Sequence, residues 1–327
     1  MTKMEILVLR KCCRKYLMLI LSVLLTLSII RIPTKVDAAT PYKLINLWDK
    51  KATVGGVKFS SKRENDTGKV TIYYKINNKT KVLVSGEGLG TTVLTNGRWV
   101  YYVATNDVSY NFYKQDLRNG SKTKIFSEKS PDMSVELSGF YKNKLYYVNG
   151  IDPGTLCYFD LKSRKKKKVM NNVTLAEQYG SIFLCTPYEG DVGASSLRFY
   201  DAKSNSKKTI TKNKMGYRVI SKKLYYVEYI RAYDSNQEYM DPEDYICNVV
   251  RCDLTGKNKK VLLKDKRING YVSKITSSYI QYTDYDFDND TNRRYGYSNY
   301  VYTCCYVIGQ KGKSYATKHD AGVYFGS

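Results

Sequence analysis

The residues of this 327-residue chain whose types and spacing best suit chemistry are acidic. Asp284, Asp286 and Asp288 have the D-x-D-x-D spacing that converges oxygens on Ca²⁺. The rest of a calcium loop is missing. Asp290, not Gly, lies near the turn, and the twelfth position is Tyr295, which has no carboxylate. The expectation is therefore no cofactor, with Ca²⁺ the one metal these residues suggest. Residues 228–247 hold Glu228, Asp234, Glu238, Asp241, Glu243 and Asp244 against Arg231 alone, and residues 284–298 hold four Asp against Arg293 and Arg294. Tyr229, Tyr233, Tyr239, Tyr245, Tyr285, Tyr295 and Tyr297 are interleaved with these acids. Rigid aromatic surfaces recognise proteins, peptides and glycans at low entropic cost. These tyrosines, with Asp241 and Asp244, form the expected ligand-binding set. Paired carboxylates also cleave glycosidic bonds, so a carbohydrate-active enzyme, glycosidase or lyase, is the second reading.

Other chemistries are excluded by what is absent. His319 is the only histidine, which rules out a His-ligated metal centre and leaves no Cys-His dyad. Neither G-x-S-x-G nor H-E-x-x-H occurs, and no catalytic residue is expected. Beyond residue 38 six cysteines remain: Cys157, Cys185, Cys247, Cys252, Cys304 and Cys305. Their spacing fits no zinc pattern. They fall in strand-like segments, where buried free thiols and one or two disulfides are both compatible with the sequence.

The first forty residues read as an address. Lys3, Arg10, Lys11, Arg14 and Lys15 precede an apolar run from Tyr16 to Ile30, shorter than the roughly twenty residues of a membrane-spanning helix. Val36 and Ala38 are small enough for a signal peptidase site, so cleavage is expected after Ala38. The chain then divides into a signal peptide, 1–38, and a mature domain, 39–327, that is secreted or held at the cell envelope. The alternative is membrane anchoring by uncleaved residues 16–30. Removing 1–38 takes away seven positive and two negative charges, and +24 becomes +19.

The elements that carry the acidic loops are strands. Only 6 Pro and as many as 33 Tyr, with abundant Val, Ile and Thr, favour a pleated surface. A short element recurs: WVYYV at 99–103, KLYYV at 144–148, SIFLC at 181–185, KLYYV at 223–227 and YIQYT at 279–283, with GVKFS at 56–60 a weaker first copy. Lys58, Tyr101, Tyr146, Phe183, Tyr225 and Gln281 then occupy equivalent positions. A second strand and a polar turn follow each copy, as in RCDLTGKNKKVLL at 251–263, where Thr255 and Gly256 supply the reversal as Asn119 and Gly120 do earlier. An alternating segment such as SVELSGF at 134–140 precedes it. Four strands per repeat of forty to fifty residues describe the blade of a β-propeller. The expected fold is all-β, a six-bladed β-propeller of four-stranded antiparallel blades at roughly 41–86, 87–130, 131–171, 172–211, 212–266 and 267–327. Residues 41–50 and the final GVYFGS are candidates for the strand that closes the ring.

KLYYV followed by RCDLTGKNKKVLL resembles the YWTD-like repeat of the low-density-lipoprotein-receptor-related propellers, and most of all a secreted bacterial propeller family of that type whose function is unknown. The likeness runs through the mature chain. It departs from the receptor pattern in having Tyr-Tyr-Val for Trp-Thr-Asp, which only Tyr282, Thr283 and Asp284 partly recover. The Lys- and Tyr-rich, His-poor composition resembles that of low-GC Gram-positive bacteria. The resemblance implies a fold more than an activity, together with a geometry that gathers the B–C and D–A loops of each blade on one face. Both acidic segments are then B–C loops on that face. The turns and outer strands carry Arg118, Lys122, Lys124, Arg164 to Lys168, Lys203, Lys207, Lys208, Lys257, Lys259 and Lys260. Lysines at such edges discourage pairing with other chains, and they also suit an anionic cell-wall polymer. Nucleic acid is not an expected partner of an exported chain, and a monomer is expected. The function read from the sequence is a non-enzymatic binding or interaction module at or outside the cell surface.

Overall fold

The computed structural model describes residues 41–327, apart from 49, 88, 107–108, 130–133, 151–153, 188–194, 233–243, 270–271, 287–299, 309–313 and 321–327. The expected signal segment, with residues 16–30 and Ala38, lies outside the described residues. Among the described residues all regular structure is β and none is helical.

β1 (Lys43–Asn46) stands apart from the first sheet, which is β2 (Ala52–Val54), β3 (Val57–Arg63), β4 (Val70–Ile76) and β5 (Lys79–Gly86). The second contains β6 (Thr92–Thr95), β7 (Trp99–Asn106), β8 (Ser109–Asp116) and β9 (Lys122–Glu128), with β1 added along β6. The third is β10 (Val135–Tyr141), β11 (Lys144–Asn149), β12 (Thr155–Asp160) and β13 (Lys165–Asn171). A seven-stranded sheet follows: β14 (Leu175–Tyr179), β15 (Ile182–Thr186), β16 (Ser195–Asp201), β17 (Ser206–Ile220), β18 (Lys223–Ala232), β19 (Asp244–Asp253) and β20 (Lys260–Asn269). The last is β21 (Val272–Ile275), β22 (Tyr279–Asp286), β23 (Tyr300–Val307) and β24 (Ser314–Asp320). Every pairing among the described residues is antiparallel, and all but that of β1 with β6 join neighbours in sequence. β17 serves two meanders: its first part pairs with β16 and its second with β18, and Lys214 takes part in both ladders.

Apolar clusters join successive meanders face to face, the arrangement of blades in a β-propeller. The first and second sheets share Phe59, Ile72, Tyr74, Val100 and Tyr102, and the second and third share Tyr101, Phe112, Phe126, Leu145, Tyr147 and Phe159. Tyr146, Val148, Phe183 and Cys185 join the third sheet to β14–β16, while Leu184, Leu197, Leu224 and Tyr226 join β15 and β16 to β18. Tyr225, Val227, Ile280 and Tyr282 reach the last sheet. This accounts for the repeated Leu-Tyr-Tyr-Val. Side chains alternate across a strand, so in β11 Leu145 and Tyr147 pack backwards while Tyr146 and Val148 pack forwards, and all four are buried. Burial of each large apolar side chain contributes about 1.5–3 kcal/mol.

Two of the sequence equivalences slip by one residue. Measured from the preceding turn, the place of Tyr146 is taken by Phe59, not Lys58, and by Leu184, not Phe183. The turns at Gly55-Gly56 and Gly180-Ser181 set the register, and a one-residue shift exchanges the two faces of a strand. Lys58, Ser60 and Lys62 consequently point away from the second sheet, leaving the outer face of the first sheet polar. Residues 43–46 do not complete the last sheet, as a ring-closing strand would. They lie along β6, where Tyr42 packs on Tyr101 and Phe140 at 5.4 and 4.6 Å, and the last sheet draws its four strands from 272–320. GVYFGS is outside the described residues.

The turns after β8, β12, β16 and β19 each carry an aspartate that caps them. Asp116 Oδ1 accepts the Arg118 N–H at 2.8 Å, Asp160 Oδ1 those of Lys162 and Ser163 at 2.9 and 3.0 Å, and Asp201 Oδ1 that of Lys203 at 3.0 Å. Asp253 Oδ2 accepts the Asn258 amide at 2.7 Å. Four residues past the first of these, Gly120 has φ +79°, the left-handed conformation that favours glycine.

Candidate functional site

The described parts of the two acidic segments lie in paired strands. β18 and β19 remain paired out to Ala232 and Tyr245, and β22 and β23 out to Asp286 and Tyr300. The structure brings Tyr229 and Tyr245 together as an edge-on pair, centroids 5.6 Å apart. Asp244 begins β19, and Tyr285 lies on β22 opposite Val301. Asp284 and Asp286 occupy alternate positions of the same strand, opposite Tyr302 and Tyr300. An extended ladder spaces such Cα atoms about 7 Å apart instead of wrapping them around an ion. Tyr233, Tyr239, Asp241, Asp288, Tyr295 and Tyr297 lie outside the described residues. Among the described residues no three His, Cys, Asp or Glu are grouped to hold a metal. Cys157, Cys185, Cys247, Cys252 and Cys305 are free, and the first four are buried.

A pocket of about 480 Å³ lies at the corresponding end of the first three sheets. The β3–β4 hairpin contributes Arg63, Thr67, Gly68 and Val70, and the connection from β5 to β6 contributes Glu87, Leu89 and Gly90. Val103, Thr105 and Tyr110 come from β7 and β8, while Ser134, Val135 and Glu136 enter at the start of β10. Trp48 closes the wall from the segment after β1. These are again connections from second to third strand and from fourth to first, so the pocket uses the loop set that the sequence singled out, but on other repeats.

Trp48 is held in place while remaining 52% exposed. Its backbone N–H donates to Asn46 Oδ1 at 2.9 Å, and the Arg63 guanidinium lies 4.8 Å from its ring centroid. Such cation–π contacts contribute about 0.5–1 kcal/mol at exposed sites. Glu136 sits opposite Val148 in the ladder between buried Val135 and Leu137. Although its side chain reaches solvent, the pocket walls exclude enough water to raise its carboxyl above the ordinary carboxylate range, as burial also raises the Tyr110 hydroxyl. Among the described residues neither Glu87 nor Glu136 has a hydrogen-bonding or ionic partner. Sequence reasoning missed this site. Its available signals were Trp48, one of only two tryptophans, and the Gly-rich stretch at 86–90.

The basic outer strands do structural work. Lys166 Nζ donates to Ser127 O at 3.1 Å and pairs with Glu128 at 2.8 Å, and Arg164 reaches Ile125 O at 3.5 Å. Lys207 Nζ donates to Val169 O at 3.0 Å, and Lys259 Nζ to Ile210 O at 2.8 Å. Each cation from one outer strand or its turn thus caps a main-chain carbonyl of the preceding outer strand. Lys165, Lys167, Lys168 and Lys208 stay exposed.

No family model matches the chain, and no curated protein does. Among solved structures it is similar to dipeptidyl peptidase 4 from Porphyromonas gingivalis, at 11% identity and a TM-score of 0.49 over 81% of this chain and 45% of that one. It is similar to the β-propeller domain of the trilobed protease from Pyrococcus furiosus, at 10% identity and 0.43 over 86% and 96%. TolB from Acinetobacter baumannii shares 16% identity at 0.39, over 79% of this chain and 64% of its own. The chain therefore spans less than two thirds of TolB and less than half of the peptidase. At such identities no activity passes from them to this chain.

Proposed function

We propose that the chain is an exported, six-bladed propeller acting as a non-enzymatic binding module of the cell surface or extracellular space. In this reading β17 supplies the last strand of the fourth blade and the first of the fifth. The observation that carries it is the pocket at the loop end, where an exposed, immobilised tryptophan and two unpartnered carboxylates line one concavity. Concave sites with a few placed polar groups are the usual form of a ligand pocket. Cleavage after Ala38 releases the domain, and its exposed lysines hold it to anionic envelope polymers by salt-sensitive attraction. The acidic hairpins with Tyr229, Tyr245 and Tyr285 extend the same recognition face.

The experiment is to probe immobilised protein with arrays of glycans and peptides, with Trp48→Ala as the control. A ligand bound by the native protein, lost on substitution and recovered unaltered, is the expected result. Failure to bind any ligand, or binding that Trp48→Ala leaves intact, removes the proposal. One observation favours a second reading, a carbohydrate-active enzyme: the raised pKa of Glu136 is the property of a general acid. Turnover of a bound glycan that Glu136→Gln abolishes would establish it in place of the first.

A further inference from the structure

We infer that the pocket between the first three sheets takes a neutral saccharide, one ring of which stacks on Trp48 while its hydroxyls bridge Arg63 to Glu87 and Glu136. This rests on reading the pocket as a binding site and adds the chemical class of its ligand.

The argument begins with charge. Arg63 is a donor only, and the ionised carboxylates of Glu87 and Glu136 are acceptors only. All three line one pocket of about 480 Å³, within the range of small-molecule sites. A cationic peptide would meet Arg63, and an anionic one would meet two carboxylates. A neutral ligand rich in hydroxyls satisfies both signs at once, since each hydroxyl donates one hydrogen bond and accepts others. The Glu136 carboxyl, which lacks a partner among the described residues, is thereby open to accept such a hydroxyl.

Shape gives the second step. A sugar ring has an apolar face of C–H groups and a polar rim. The pocket offers the same division: Trp48, Val70, Leu89, Val103 and Val135 supply apolar surface, and the charged groups alternate with them. Trp48 is suited to be the platform because Arg63 lies over its ring and the Asn46 hydrogen bond holds its main chain before the ligand arrives, which lowers the entropic cost of binding. About half of its surface remains outside the core and open to a ligand.

The test uses the protein with Trp99→Phe, which leaves Trp48 as the only tryptophan and its emission as the reporter. It is titrated with maltose, cellobiose and N,N′-diacetylchitobiose, and with tetra-lysine and tetra-glutamate. The expected result is a saturable change with a disaccharide, weakened about 10-fold or more by Arg63→Ala and by Glu136→Gln, as loss of a charge-assisted hydrogen bond entails. A response to either peptide and to no disaccharide overturns the saccharide class but leaves the binding module standing. Silence from the whole panel overturns this inference, and the array experiment then judges the module separately. Calorimetry on the unsubstituted protein reads the same binding should Trp99→Phe disturb the fold.

Discussion

Gln178 fastens the third sheet to β14, and the closeness of that joint makes its contribution measurable. Its amide accepts the Phe140 N–H and donates to the Phe140 carbonyl, both at 2.8 Å, and donates to Gly180 O at 2.7 Å. The side chain mimics a paired strand across the gap between sheets. Gly139 allows the approach, because a Cβ there would stand 2.1 Å from Gln178 Oε1. Gln178→Ala removes three hydrogen bonds of about 0.5–1.5 kcal/mol each, and with water replacing part of them the expected loss is about 2–3 kcal/mol. Gly139→Ala displaces the same amide and should cost about as much. In the double substitution the obstructing amide is absent. The costs then overlap, with a coupling of about 2 kcal/mol. Urea unfolding of the four proteins, read as midpoints at constant slope, gives this number. Costs that add to within about 0.5 kcal/mol would refute the strut.

Acid should unfold the protein through its turn aspartates. At Asp116 and Asp201 burial opposes ionisation, but hydrogen bonds from Arg118 and Arg98, and from Ser204 and Ser181, outweigh it. At Asp160 the Ser163 N–H dominates, and at Asp253 the Lys223 ammonium, so all four pKa values are lowered. Stability from a depressed carboxyl is complete above its unfolded value near 4 and is lost as pH falls through the folded value. Tm measured from pH 5 to 2 should therefore drop steeply, and Asp160→Asn should flatten the drop; an unchanged profile would count against the caps. Lys214 works in the same direction at higher pH, since burial lowers its ammonium to about 8. Between about 8 and 10 the unfolded chain binds this proton more tightly, so Lys214 contributes stability that grows with pH, against the larger loss from the four buried thiols, which the unfolded chain ionises first. Lys214→Met should therefore steepen the fall of Tm between pH 8 and 10, and an unchanged slope would count against burial of this ammonium. Burial pushes the thiols of Cys185 and Cys247 to about 12 and those of Cys157 and Cys252 to about 11. Iodoacetamide at pH 8 should label these four only after denaturation and partly exposed Cys305 before it; prompt native labelling of Cys185 would contradict the packing.

The meanders were legible because Leu-Tyr-Tyr-Val is what a strand buried on both faces requires, and few other patterns place two adjacent tyrosines in opposite cores. Register was less legible where the copy is weak. GVKFS and SIFLC align by eye one residue off, since each begins on a turn residue, Gly56 or Ser181, where KLYYV begins on the first paired residue of its strand. The Asp at the end of β8, β12, β16 and β19 recurs visibly, but the role of the lysines that follow it depends on where the previous sheet's carbonyls stand. Charge counting gives a basic rim and cannot see those carbonyls. The pocket was illegible for a related reason. Trp48, Arg63, Glu87 and Glu136 are ordinary residues in four separate segments, and only the stacking of three sheets brings them together.

Hydrogen–deuterium exchange with and without an array-identified ligand tests the central claim most directly, because it reports which loops the ligand covers. The account predicts slowed exchange in residues 46–50, 63–70, 87–90 and 134–136, with 233–243 and 287–299 changing less. Protection confined to the two acidic hairpins, with the pocket segments unchanged, would contradict it.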